Sequence, residues 1–75
     1  MTQTFTAYIE FDPDTGLYVG TIPGLTGGHS QGASLDELQQ NLKEVVELIV
    51  EERRQRGEVV EVDPFVGIQQ ITVAG

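Results

Sequence analysis

The sequence contains no cysteine and a single histidine. Without cysteine there is no disulfide, no thiolate metal site and no cysteine nucleophile. A lone histidine, His29, cannot by itself build a metal site or a nucleophile–base pair, and we interpret it as an exposed or partly packed side chain beside a glycine-rich turn. No apolar run approaches the roughly 20 residues of a bilayer span, and the N-terminus has no basic stretch followed by an apolar run. We therefore expect a soluble cytoplasmic protein without a membrane partner.

Basic residues are also scarce. Lys and Arg number 4 against 12 Asp and Glu, which gives a formal net charge of -8 on 75 residues. This charge disfavours direct binding to nucleic acid or to anionic membranes, where Lys and Arg supply most of the affinity. The expected partners are basic or neutral. The length allows one domain, residues 1–75, whose small core makes self-association as a homodimer or tetramer a reasonable expectation.

The first half of the chain has the pattern of a small antiparallel sheet. Residues alternate between apolar and polar from Phe5 to Phe11, and the cluster Asp12 to Gly16 concentrates turn-forming residues. A second strand is predicted from Leu17 to Ile22, and a weaker, glycine-interrupted third strand from Leu25 to Gly32. The alternation predicts a core face on the first strand made of Phe5, Ala7, Ile9 and Phe11.

A long helix is predicted from Ser34 to Gly57. Ser34 and Glu37 have the spacing of a capping box, in which each side chain bonds a backbone amide near the other. Three arginines lie in the last turn, and Gly57 suits the left-handed residue that ends a helix. The predicted core-facing stripe is Leu35, Leu38, Leu42, Val45, Val46 and Ile49, and the predicted opposite face is Asp36, Lys43, Glu44, Glu47, Glu51 and Arg54.

A last strand is predicted between Phe65 and Val73, where β-forming residues are frequent. The fold class is therefore α+β: a β-β-β-α-β antiparallel sheet with one long helix on one face. An exposed edge of this last strand would template pairing with a second copy. The residues predicted to mediate that self-association are Phe65, Val66, Ile68, Ile71 and Val73.

The order of these residues resembles the HicB-type antitoxin family. The resemblance covers roughly Phe5 to Gly57 and is carried by Tyr8-Ile9-Glu10-Phe11-Asp12, Gly16-Leu17-Tyr18-Val19-Gly20, Ile22-Pro23-Gly24-Leu25, Ser30-Gln31-Gly32 and Ser34-Leu35-Asp36-Glu37. It implies a partial ribonuclease-H-like domain that binds and masks a small basic toxin, HicA, which cleaves messenger RNA. It also implies association as dimers or tetramers.

Two features depart from the family pattern. Gly28 stands where the family often has cysteine. The sequence stops after the predicted last strand, whereas many members carry a further DNA-binding module, so repression of its own operator through such a module is not expected. An orphan homo-oligomeric binding or structural module without a toxin partner therefore remains an alternative to the antitoxin.

A ribonuclease-H-like fold raises the question of metal-dependent nuclease chemistry, which clusters carboxylates around two metal ions. The available carboxylates are Glu10 and Asp12 on the first strand and Glu44 or Glu47 on the helix. The helical pair is predicted to point away from the sheet, and Gln69 and Gln70 stand where the last strand would need an acid. We therefore expect no enzyme, no catalytic residue and no cofactor.

The remaining polar clusters have ordinary structural interpretations. Asp12 and Asp14 flank Pro13 as turn formers, because the ligand spacing of a calcium loop is missing. The glycines match no phosphate-binding loop. No metal site is expected. The acidic surface is either solvated or the docking site of the basic toxin, and in the second case its residues are Asp12, Asp14, Asp36, Glu44, Glu47 and Glu51.

Overall fold

Three antiparallel strands are followed by one long helix in the computed structural model, which describes residues 3–62 and 64–75. The sheet has the order β1-β2-β3, so each strand pairs with its neighbour in the chain. This confirms the predicted α+β arrangement up to the end of the helix. The elements are β1 (Tyr8–Asp12), β2 (Leu17–Thr21), β3 (His29–Gly32) and α1 (Leu35–Gln55).

The β1–β2 turn forms as the sequence predicts. The Asp14 N–H donates to Asp12 Oδ1 at 3.0 Å, and the Gly16 N–H donates to the Asp12 carbonyl at 2.8 Å. Gly16 has φ +72°, a conformation that side-chain-bearing residues rarely adopt. Asp12 therefore organises the turn with both its side chain and its backbone, which accounts for the turn without any bound ion.

The third strand is shorter than predicted. It begins at His29, because residues 22–28 form local turns instead of extended backbone. The Leu25 N–H donates to the Ile22 carbonyl at 3.2 Å, and the Leu25 carbonyl accepts from the Gly28 N–H at 2.9 Å. Leu25 therefore uses its backbone groups locally while its side chain, 5% exposed, enters the core.

Both ends of α1 are capped. The Glu37 N–H donates to Ser34 Oγ at 3.1 Å. The Glu37 carboxylate accepts from the Ala33 N–H at 3.2 Å rather than from Ser34, so the reciprocal bond lies one residue earlier than predicted. At the other end, the N–H groups of Gly57 and Glu58 donate to the carbonyls of Arg54 and Arg53. With Gly57 at φ +72°, this is a Schellman motif, as its glycine predicts.

The helix packs over β2 and β3, and no Cα atom of α1 lies within 8 Å of a Cα atom of β1. Its buried residues come from the predicted stripe, and Ile22, Leu25 and Val60 complete the core. Because nothing covers β1, the predicted core face is only partly buried: Ile9 is 49% and Phe11 53% exposed. Leu35, the first residue of the stripe, is likewise 53% exposed. The buried helical residues are Leu38, Leu42 and Val46.

The predicted last strand is not observed. Residues 64–75 pair with no other strand of the described chain. Val60 is the last buried residue of the described chain, and Val62 still packs against the core while partly exposed. The large apolar side chains from Phe65 onward are exposed. A strand is defined by its hydrogen-bonded neighbour, and this segment has none. The exposed side chains are Phe65 (56%), Val66 (95%), Ile68 (69%), Ile71 (79%) and Val73 (82%).

Candidate functional site

The predicted docking acids occupy two regions of the surface. Asp12 and Asp14 lie in and beside the β1–β2 turn, and Asp36 lies in the first turn of α1. The last residue of β3, Gly32, pairs with Tyr18, which lies next to that turn. The helix follows β3 within three residues, so it begins at the same end of the sheet. Glu44, Glu47 and Glu51 follow along α1. The structure therefore distributes the acids from the turn end of the sheet along the helix.

These carboxylates are largely open to solvent. Asp12 is half-buried and the other five residues are exposed. Within residues 3–62 and 64–75, Glu51 is the one member of the set that forms an ion pair, at 3.8 Å from Arg54. Glu44 accepts from Gln40 Nε2 at 3.3 Å. Most of the negative charge is thus not neutralised by neighbouring cations of the described chain.

The orientation of Glu47 and Glu51 differs from the prediction. Both were expected on the face opposite the apolar stripe, and both are exposed. They nevertheless lie beside the open space between α1 and the N-terminal strand, together with Lys43 and Arg54. The reason is the sideways position of the helix over β2 and β3, which turns one flank of α1 toward the uncovered β1.

We call this open space the β1–α1 groove. Its volume is about 1120 Å³. Its lining is mostly apolar, with Gln3, Thr4 and Gln39 as polar members, and its rim carries charges of both signs from the helix. Sequence reasoning missed the groove. The apolar lining is Phe5, Ala7, Ile9, Ile22, Leu35, Leu38, Leu42, Val46 and Val50, and the charged rim is Lys43, Glu47, Glu51 and Arg54.

Two strand glycines mark where the helix lies closest to the sheet. A Cβ at Gly20 would lie 2.7 Å from Leu42 Cδ1, and a Cβ at Gly32 would lie 2.6 Å from the Leu38 backbone nitrogen. The helix therefore sits in close contact with the two strands that carry these glycines. On β1 the residues on the same face are Ile9, opposite Gly20, and Phe11, opposite Tyr18.

The carboxylates considered for nuclease chemistry are not brought together. Glu10 and Asp12 alternate with Ile9 and Phe11 along β1, so they lie on the sheet face that points away from the helix. Glu47 lies on the helix side. Among the described residues, no group of three or more His, Cys, Asp or Glu side chains is arranged to hold a metal ion. No polar or charged residue in the same ranges is buried.

His29 is the first residue of β3 and is exposed, as predicted. It shares the outer sheet face with Gln31, and its N–H donates to the Gly27 carbonyl at 2.9 Å. In the part of the chain that the structure describes, no helix has both the length and the apolar character needed to cross a bilayer.

Comparison with known proteins places the chain in a family. A UPF0150 protein of Thermotoga maritima is 45% identical over 71 residues, which cover 95% of this chain and 91% of the relative. A UPF0150 protein of Synechocystis sp. is 44% identical over 71 residues, covering 95% and 96%. A third, from Archaeoglobus fulgidus, is 42% identical over 69 residues, covering 92% and 93%.

No family model matches the chain, and no solved structure matches it. The three relatives nevertheless align with nearly the whole chain, at identities far above those of chance similarity. The chain belongs to the UPF0150 family.

Proposed function

We propose that this protein is a HicB-like antitoxin module that binds a small, basic, RNA-cleaving toxin and occludes its active site. The observation that carries the proposal is the exposed acidic surface formed by Asp12, Asp14, Asp36, Glu44, Glu47 and Glu51 on a chain of net charge -8. The resemblance of the strand and capping motifs to HicB antitoxins supports the identity of the partner. The finer fold assignment, a partial ribonuclease-H-like domain completed by a fourth strand, is part of the same proposal.

The surface suits a protein partner that carries Lys and Arg. Exposed charges that are not paired internally set up a long-range field, which accelerates encounter with an oppositely charged protein. The same field repels RNA, so the chain acts on the toxin instead of competing for its substrate. Inhibition is therefore stoichiometric, by coverage of the cleavage site, and needs no catalytic residue in this chain.

The first experiment tests inhibition. A small basic protein encoded next to this chain is purified, its cleavage of a labelled RNA is measured, and this protein is titrated into the reaction. We expect cleavage to fall in proportion to the added protein and to stop near a stoichiometric ratio. Undiminished cleavage at a large excess of this protein, with no complex detected by size-exclusion chromatography, would refute the proposal.

A second experiment locates the docking surface. Association rates are measured by stopped-flow fluorescence for the wild type and for the double variant Glu47→Lys with Glu51→Lys. We expect the variant to associate about tenfold more slowly at low salt. The matched control is Glu10→Lys with Glu61→Lys, which changes the net charge equally at exposed positions outside the proposed surface. Equal slowing in both double variants would show that net charge alone steers the encounter.

A second candidate is a homo-oligomeric binding or structural module with no toxin partner and no catalysis. The exposed apolar segment after the helix favours it, because such a segment suits contact with another copy. Purification from the native cell followed by mass spectrometry distinguishes the two candidates. A stoichiometric basic protein in the purified complex supports the antitoxin, whereas homo-oligomers alone support the second candidate.

A further inference from the structure

An aromatic pair lies at the end of the sheet where the helix begins. Phe11 and Tyr18 are direct partners across β1 and β2, and their ring centroids are 5.0 Å apart with an interplanar angle of 59°. Tyr18 also pairs with Gly32, which lies beneath α1, so all three residues share the helix-side face of the sheet. Phe11 is nevertheless 53% exposed, because the helix leaves β1 uncovered.

Leu35 adds a third apolar side chain at this end of the molecule. It is the first residue of α1, three positions after Gly32, and it is 53% exposed. Exposed apolar side chains that share one region of the surface mark interaction sites, whereas singly scattered ones are ordinary. We call Phe11, Tyr18 and Leu35 the turn-end patch.

Aspartates border the turn-end patch. Asp12 directly follows Phe11, and Asp36 directly follows Leu35. Consecutive Cα atoms are only about 3.8 Å apart, so each exposed apolar side chain has a carboxylate close to it. Asp14 lies in the turn next to Asp12. Within residues 3–62 and 64–75, none of these three aspartates forms an ion pair.

The basic residues of the chain are far from this patch. The sequence has no Lys or Arg before Lys43. At 1.5 Å per residue, Lys43 lies about 12 Å from Leu35 along the helix axis, and Arg53 lies about 27 Å from it. Both separations exceed the screening length of about 8 Å at physiological ionic strength. The field at the turn-end patch is therefore negative.

We propose that the turn-end patch seats an arginine of the basic toxin, whose guanidinium stacks on Phe11 and Tyr18 while its N–H groups donate to the bordering aspartates. This inference rests on the proposed function and adds a short-range anchor to the long-range field. The planar guanidinium suits such a site, because it stacks on aromatic rings and donates to carboxylates through a rigid fork. A lysine ammonium has no planar face to stack.

The described residues of the chain leave this patch open. Residues 65–69 border a cleft lined by Thr4, Thr6 and Tyr8, at the opposite end of β1. Tyr8 and Phe11 are about 10 Å apart along an extended strand. Ile71 and Val73, farther along the chain, are 79% and 82% exposed, so their side chains cover little surface.

The test compares dissociation rates of complexes with the small basic protein encoded next to this chain, by stopped-flow displacement. We expect Phe11→Thr to dissociate at least about tenfold faster, because loss of a central aromatic anchor raises the dissociation rate. Its association rate stays within about twofold of the wild type. Phe11→Tyr keeps the ring and the slow dissociation. The matched control is Tyr8→Thr, which removes a similarly exposed aromatic ring (49%) from the opposite face of the same strand.

A second pair of variants tests the helical side of the patch. Leu35→Gln is expected to dissociate about fivefold faster than the wild type. Leu48→Gln makes the same change at an exposed helical position outside the patch (71% exposed) and leaves the rate unchanged. Glutamine is a good helix former, so both variants keep the helix.

The free protein reports whether the patch is open. Phe11→Thr is expected to lower the Tm by no more than about 10 °C and to leave the mass by sedimentation equilibrium unchanged. A larger loss of Tm would show that the chain itself covers Phe11, and a changed mass would show that a second copy does. Either result would overturn the proposal.

The two proposals fail in different ways. If the toxin binds but Phe11→Thr dissociates no faster than Tyr8→Thr, the arginine site is refuted while the antitoxin function stands. If the wild type forms no complex at all, the proposed function is refuted and the arginine site with it.

Discussion

Gly32 lies directly beneath Leu38, where β3 passes under the first turns of α1. A Cβ at Gly32 would lie 2.6 Å from the Leu38 backbone nitrogen and 2.9 Å from its Cα. A backbone atom cannot rotate away as a side chain can. The absence of a side chain at Gly32 therefore sets how closely the helix approaches the sheet.

Gly32→Ala is expected to lower the free energy of unfolding by about 2 kcal/mol, within the range that overpacking costs. Gly20→Ala is the matched comparison, because its Cβ would meet mainly the flexible end of Leu42. We expect a smaller loss there, and urea denaturation of the two variants measures the difference. Equal losses, or a larger loss for Gly20→Ala, would contradict the close approach described at Gly32.

Asn41 ties the helix to the outer strand. Its Nδ2 donates to the Gln31 carbonyl at 2.8 Å. Asn41→Asp has almost the same shape but a carboxylate that cannot donate, so we expect a loss of about 1 kcal/mol. Urea denaturation again measures the change, with Gln39→Glu as a control at a neighbouring exposed position. If Asn41→Asp and Gln39→Glu have equal effects, the bond contributes nothing specific.

Gly57 ends α1 in a left-handed conformation. Gly57→Ala places a Cβ on a backbone with φ +72°, which costs about 1 kcal/mol. Gly57→Asn is expected to cost less, because asparagine tolerates this conformation. The stability of both variants is measured by thermal unfolding, followed by circular dichroism at 222 nm, where the helix dominates the signal. An alanine variant as stable as the wild type would exclude the Schellman motif as a source of stability.

Salt is expected to have opposite effects on the two interactions proposed for this chain, which are binding to a basic toxin and association with a second copy. Raising sodium chloride from 0.1 to 1 M shortens the screening length from about 10 to about 3 Å. Repulsion between two chains of net charge -8 then falls, so the homodimer tightens. Attraction to a basic toxin also falls, so that complex associates more slowly. Sedimentation measures the self-association and stopped-flow fluorescence measures the toxin association, both on the same preparation. If salt strengthened both interactions or weakened both, the assignment of the acidic residues to the toxin interface alone would be contradicted.

Local signals in the sequence predict much of the fold. The turn at Asp12 and Gly16, the cap at Ser34 and the stop at Gly57 each depend on residues a few positions apart. All three form, although the Glu37 carboxylate accepts from the Ala33 N–H and not from that of Ser34. The predicted burial of the apolar stripe is also confirmed for Leu38, Leu42 and Val46. This prediction depends only on the spacing of apolar residues along one helix, because that spacing places them on one face.

Features that depend on the relative placement of elements are not predicted as well. Periodicity identifies the inner face of β1, but it does not show that the helix lies over Gly20 and Gly32 and leaves Ile9 and Phe11 half-exposed. Residues 65–73 have the composition of a strand. Strand propensity, however, reflects how well a side chain packs on a sheet, so it favours a strand only where a neighbouring strand is available for pairing. The acids of the candidate surface were identified from their residue types, whereas the position of Glu47 and Glu51 at the groove needed the structure.

The sheet topology also sets an order of events in folding. Each strand pairs with its neighbour in the chain, and the helix packs on the two strands that precede it. Contacts between elements close in sequence form rapidly, because little chain entropy is lost in closing each loop. The three strands and the helix can therefore fold through contacts that need no residue after position 62. Because no second molecule takes part in forming this core, its folding rate is expected to be independent of protein concentration.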